Sequence, residues 1–176
     1  MYQAIISLQF HACLRIGELV ISKNPEHVIK KKQIKMHKKN LKIKFVSYKH
    51  SRNSKPKIVV AKNPDETICP VKLTKRYHSI RPKTSKYDPY FISNRSKPLY
   101  RTDIAKVLKD SIVNIGLNPK NYNTHSLRSG KATELYIKQC PEPILKSFGR
   151  WRSDAHRNYI KPDVINIPKQ FRYNMQ

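Results

Sequence analysis

The residues with the most chemical content lie in the last third of the chain. Thr124-His125-Ser126-Leu127-Arg128-Ser129-Gly130 is followed by Phe148-Gly149-Arg150-Trp151-Arg152-Ser153-Asp154 and then by Tyr159. His125 and Arg128 are three residues apart, a spacing that sets an imidazole and a guanidinium on one face of a helix. Tyr159 stands nine residues after Arg150. Near the other end, Arg15 and Glu18 lie one helical turn apart in Leu14-Arg15-Ile16-Gly17-Glu18-Leu19. A guanidinium is a planar, permanently charged fork that can hold two oxygens of one phosphate, a geometry lysine lacks. A phenol with a pKa of about 10 is a nucleophile only after a nearby base or cationic cluster helps remove its proton. Singly, each residue has an ordinary explanation: solvated or salt-bridged arginines, a capping histidine, a helix-surface partner for Arg15 in Glu18, a core anchor in Trp151 and a core tyrosine. Their ordered grouping carries more than any one of them.

Charge narrows the partner. Lysine and arginine total 37 against 11 acids, a net charge of +26, far more than solubility requires and self-repelling in a compact fold. A polyanion is implied. Nucleic acid fits better than a membrane, since no apolar run approaches the roughly 20 residues of a span. Cys13, Cys69 and Cys140 are odd in number and scattered, which argues against a disulfide framework or a zinc site and for a reducing compartment. The acids form no compact set of hard oxygen ligands, so no metal or other cofactor is expected. Met1 to Phe10 is apolar without a charged leader and reads as a core helix rather than a signal peptide. Lys30 to Lys39 admits three readings: a nuclear localisation signal, a DNA-facing surface or a solvated loop.

These side chains must be placed by a small set of elements. Ile5, Leu8, Ala12, Ile16 and Leu19 recur at helical spacing and predict one amphipathic helix from Ala4 to Ile21, bearing Arg15 and Glu18. Leu41, Ile43 and Phe45 alternate with lysines, and Ile58 to Val60 follows the turn-like Asn53-Ser54-Lys55-Pro56, which predicts a hairpin within a three-stranded antiparallel sheet. Pro70 opens a helix to about Ile80. Thr102 is placed as N-cap of a helix whose apolar face is Ile104, Val107, Leu108, Ile112 and Ile115, closed by Gly116. Thr124 is expected to cap a helix from His125 to about Gln139. Pro141 to Phe148 makes another, ended by Gly149, and a last turn covers Ala155 to Ile160. The fold class is mainly α with a small antiparallel β-sheet, in one domain over 1–176.

With these motifs in order, the chain resembles the catalytic domain of the tyrosine recombinase/integrase family over nearly its whole length. The wording from Gly149 to Ala155, ending in a tyrosine, looks most like DIRS-type or Crypton-like eukaryotic mobile-element members. The resemblance implies that Arg15 stands in the first arginine box with Glu18 in support, and that His125 and Arg128 form the second. It implies that Lys49, in Ser47-Tyr48-Lys49-His50-Ser51, is the β-hairpin lysine that protonates the leaving 5′ hydroxyl. Arg150 occupies a position where the family usually has histidine or tryptophan, with Trp151 as its packing neighbour, and Tyr159 matches the nucleophile. The implied activity is cleavage and rejoining of double-stranded DNA through a 3′-phosphotyrosyl intermediate, without metal or ATP, in a homo-oligomeric synaptic tetramer and in the nucleus. Family members also carry an N-terminal core-binding domain that closes around DNA, and the sequence places none upstream of the first helix.

Other classes account for less. A noncatalytic DNA-binding module derived from such an enzyme fits the missing clamp and Arg150. An RNA-binding basic protein fits charge and size but leaves the ordered motif unexplained, and a metal-dependent nuclease lacks the acidic cluster.

Overall fold

A computed structural model describes residues 1–23, 25–46, 57–61, 64–65, 67–84 and 88–161. Along the chain run α1 (Tyr2–His11), α2 (Ile16–Leu19), β1 (Ile34–Met36), β2 (Asn40–Lys44), β3 (Lys57–Ala61), α3 (Pro70–Ile80), α4 (Arg101–Asn114), α5 (Ser126–Ile137), α6 (Glu142–Gly149) and a 3-10 helix at Asp154–Tyr159. The architecture is mainly helical with one small sheet, as the hydrophobic patterning predicts. Two compact units make up the chain, Met1–Arg128 and Ser129–Gln176. No described helix is long and apolar enough to cross a membrane.

The first unit holds the larger core. β2 is central in an antiparallel sheet of order β1-β2-β3, with Leu41 opposite Val60 and Ile43 opposite Ile58. Leu41, Ile43 and Phe45 are buried while Lys42 and Lys44 are exposed, the alternation a half-buried strand requires. Ala4, Ile5 and Leu8 of α1 join them, with Val71 and Tyr77 of α3 and Ile104 of α4. Burial of such side chains contributes about 1.5–3 kcal/mol each before entropy is counted. The Tyr77 hydroxyl accepts from the Ile92 amide at 2.9 Å and lies within bonding range of the Tyr90 and Ile92 carbonyls, and burial pushes its pKa up. Arg81, also buried, donates to the carbonyls of Tyr90, Pro82 and Pro89.

Helix boundaries depart from expectation in an instructive way. The predicted helix from Ala4 to Ile21 is two helices, because α1 ends in a Schellman turn at Cys13. The Cys13 amide donates to the Phe10 carbonyl at 3.1 Å and the Leu14 amide to the Gln9 carbonyl at 3.0 Å, with Cys13 left-handed at φ 48°. The same pair of bonds ends α5 at Gln139 (φ 54°), α6 at Arg150 (φ 57°) and α4 at Gly116 (φ 76°). Only α4 uses the glycine that usually marks such an end, so only that stop is readable from composition. The α4 start also differs: the Tyr100 amide donates to Asp103 Oδ2 at 2.8 Å, and Thr102 lies inside the helix. Ile115, assigned to the apolar face, is past the helix end and exposed.

Gly149 does not stop α6; it makes room. A Cβ there would lie 1.8 Å from Trp151 Cζ3 and 2.1 Å from Cε3, inside the buried indole. Alanine ordinarily adds about 1 kcal/mol to a helix relative to glycine. At this position overpacking should outweigh that gain, and Gly149→Ala is expected to destabilise the protein by about 1–3 kcal/mol. Trp151 is the sole tryptophan, so urea titration followed by its fluorescence reads the change directly, and an unchanged or raised midpoint would refute the packing account.

Candidate active site

In the first unit the break at Cys13 determines what both arginine segments can do. A helix running on through Cys13 would engage its carbonyl with the amide four residues later. The turn takes that carbonyl out of the helical pattern, and Arg128 Nη1 donates to it. Two further bonds join the same segments, from Gln9 Nε2 to the Thr124 carbonyl at 2.7 Å and from Cys13 Sγ to the Arg128 carbonyl at 3.9 Å. Two stretches 115 residues apart in sequence are thereby held together. Arg128 has no exposed surface. A buried guanidinium stays charged and is costly unless polar partners surround it.

Arg15 follows the turn in extended conformation (φ −75°, ψ 143°) and starts α2. The buried Glu18 carboxylate accepts from the Arg15 amide at 2.8 Å and pairs with its Nη1 at 3.4 Å. One carboxylate thus closes the helix start and steadies the guanidinium, whose side chain keeps 18% exposure.

The segment before Arg128 is arranged differently from expectation. Thr124 does not cap α5; it is buried, and its Oγ1 accepts from Arg101 Nε at 3.0 Å. The turn into α5 is made by Asn123, whose Oδ1 accepts from the His125 amide at 2.8 Å and whose own amide donates to Ser126 Oγ at 2.9 Å. His125 is exposed just before the helix begins. Lys49 lies outside the described residues.

In the second unit Arg150, in the left-handed region, swings the chain out of α6 so that Trp151 folds back over Gly149. The Trp151 ring meets the Tyr159 ring at 5.1 Å and 51°, and His156 at 6.3 Å. Tyr159 is half-buried at the end of the 3-10 helix, where the Ser153 hydroxyl accepts from the Ala155 amide to cap its start. Trp151 and Tyr159 are therefore brought together within this unit, with Arg150 adjoining Trp151 in the chain. Sequence reasoning passed over Gln9, Cys13, Arg101 and Thr133, because polar side chains that hold backbone at long range have no local spacing signal.

A charged cluster fastens the 3-10 helix to α6. Lys146 Nζ bonds Asp154 Oδ1 at 2.7 Å and Glu142 Oε1 at 2.8 Å. Glu142, Asp154 and His156 are close enough to share a cation, but the Lys146 ammonium already stands between the two carboxylates. Its hydrogen bonds hold both carboxyls below the usual range, and theirs raise the ammonium. On α5, partial burial pushes Glu134 up, while hydrogen bonds and charge from Lys131 and Lys138 outweigh it and leave the carboxyl lowered. A carboxyl lowered in the folded state contributes stability above its unfolded pKa of about 4 and loses it as pH falls through the folded value; a raised lysine does so at the alkaline end. The melting temperature is expected to fall below about pH 4–5, and Lys146→Met should flatten that acid limb. An acid limb identical in the variant would remove the cluster from the account.

Comparison with known proteins follows the same lines. Residues 1–163 match the phage integrase family, and no curated protein sequence matches the chain. Among solved structures, the XerH site-specific recombinase bound to difH substrate in a pre-cleavage complex is similar at TM-score 0.67 and 17% identity, over 94% of this chain and 45% of that one. XerA recombinase is similar at 0.67 and 19%, over 97% and 58%. The Tn1549 transposon integrase in complex with transposon right end DNA is similar at 0.59 and 15%, over 91% and 54%. The chain thus spans about half the length of these proteins. With a family match over nearly its whole length and the tyrosine recombinase catalytic-domain fold, this chain belongs to the phage integrase family.

Proposed function

We propose that the chain is the catalytic domain, 1–176, of an enzyme that cleaves and rejoins double-stranded DNA, in recombination or integration of a mobile element. The observation that carries this reading is the bond from Arg128 to the Cys13 carbonyl, which draws together the segments of Arg15 and Arg128 in a chain of net charge +26. In the reaction the Tyr159 hydroxyl loses its proton and attacks phosphorus. The bond to the 5′ oxygen breaks, and that oxygen leaves as a hydroxyl after taking a proton from Lys49. The product is a 3′-phosphotyrosyl ester, which retains the bond energy needed for rejoining, so neither ATP nor metal enters. Arg15 and Arg128 supply the phosphate grip, because charge grows on the nonbridging oxygens in the transition state and a fixed fork answers it better than solvent. Arg150 adds donors where the family commonly has an imidazole or indole, and His125 moves the tyrosyl proton. XerH and the Tn1549 integrase are recombinases seen with DNA, which supports DNA as the partner here. A synaptic homotetramer, a nuclear location and kinship with DIRS-type or Crypton-like elements complete the proposal.

A second reading, a DNA-binding module with impaired catalysis, is favoured by the complete burial of Arg128. One experiment separates the two: the protein is incubated with nicked duplexes of randomised sequence, in EDTA, and covalent protein–DNA adduct is resolved on a denaturing gel. An adduct with the wild type and none with Tyr159→Phe is expected. An adduct surviving Tyr159→Phe at the same yield sinks the assignment, and tight binding without adduct selects the second reading. Arg128→Lys, which keeps charge and loses the fork, is expected to lower adduct formation by about a hundredfold or more, the usual loss for one donor to a developing oxyanion; wild-type rates in this variant would remove Arg128 from the phosphate.

A further inference from the structure

Tyr159 ends a six-residue 3-10 helix, Asp154–Tyr159, whose neighbouring Arg157 and Asn158 are exposed. Such helices have poorer hydrogen-bond geometry than α-helices and hold their ends weakly. A nucleophile there needs an anchor from outside its own element. Trp151 supplies one for the ring, at 5.1 Å between centroids. The backbone has another. Thr133, in α5 and only 9% exposed, places its Oγ1 3.0 Å from the Lys161 amide, 3.4 Å from the Tyr159 carbonyl and 2.9 Å from the Ser129 carbonyl.

A hydroxyl has one proton and two lone pairs. The proton is divided between the Ser129 carbonyl, the nearer, and the Tyr159 carbonyl. The Lys161 amide donates to a lone pair whichever way the proton points. One oxygen therefore touches the chain on both sides of Ile160 and holds the exit from the 3-10 helix against α5. We propose that Thr133 is a positioning residue for Tyr159, its hydroxyl tying the peptide groups that flank the tyrosine to α5 so that the phenol is presented from a fixed backbone. This rests on the reading of Tyr159 as the nucleophile. Thr133 touches no reacting atom; it acts through the backbone, and its loss should slow bond formation without weakening the DNA complex.

Thr133→Val keeps the shape and deletes all three contacts of the hydroxyl, whereas Thr133→Ser keeps it. Adduct formation on the nicked duplex pool is measured at saturating DNA, alongside DNA affinity by filter binding and the thermal melt. The expected result is a fall of roughly ten- to a hundredfold in the rate for Thr133→Val, the scale of a misplaced reacting group. Affinity should stay within about twofold, and Thr133→Ser should recover most of the rate. Should Thr133→Val fail to fold, Lys161→Pro decides. It deletes the amide from an exposed position, and Ile160 (φ −79°, ψ 124°) already has the extended conformation a following proline demands. A rate equal to wild type in the folded variant, or equal losses with valine and serine, overturns the inference. No adduct with the wild type overturns the reading of Tyr159 and takes this inference with it. An adduct in the wild type that is indifferent to Thr133 overturns the inference alone.

Discussion

A guanidinium without exposed surface is the constraint around which the first unit is arranged. Arg128 keeps its charge under all ordinary conditions, so its burial has to be offset by oriented dipoles rather than by losing a proton. The Cys13 carbonyl is one of those dipoles, and it is available because α1 stops two residues before it. Stopping there requires Cys13 to adopt φ 48°, a conformation that costs a non-glycine residue about 1–3 kcal/mol. The same turn releases Arg15 from the helix into an extended residue whose amide and guanidinium both meet Glu18. The strain at one cysteine thus serves two arginines.

The second unit repeats the device with different residues. Arg150 takes the left-handed position, Gly149 gives up its side chain, and Trp151 fills the space. The indole then becomes a wall for the Tyr159 ring. Strained backbone at Cys13 and Arg150 adjoins residues to which the proposed function gives chemical roles. The same geometry at Gln139, away from them, is a reminder that a left-handed residue is also an ordinary way to end a helix.

Arg81 and Arg128 are two buried arginines that hold different parts of the chain. Arg81 spends its donors on three carbonyls of its own neighbourhood, at 2.7, 2.8 and 2.9 Å, and its work is to hold the chain around Tyr90 in place. Arg128 reaches across 115 residues to the segment bearing the other arginine. Residue type and burial are alike in the two, and the distinction lies in what each guanidinium joins.

Periodicity and motif order alone determined a great deal: the class, the three-stranded sheet, α3 nearly to the residue, the closing role of Gly116, and the order of Arg15, His125, Arg128, Arg150 and Tyr159. These are legible because apolar alternation, proline at a helix start and i, i+3 spacing act over a few residues, and sequence neighbours are also neighbours in space. What only the tertiary structure decided is where the helices stop and what the polar side chains hold. The apolar positions Ala12, Ile16 and Leu19 continue the stripe of α1 past its end, since both α2 and the turn also face the core, so the pattern hides the break. Thr124 looks like a cap and is instead held by Arg101, while Asn123 makes the turn. Thr133 reads as one more helix residue until its hydroxyl is seen beside the peptides flanking Ile160. In each case the partner is distant in sequence, and a hydrogen bond between distant segments leaves no trace in the spacing of either.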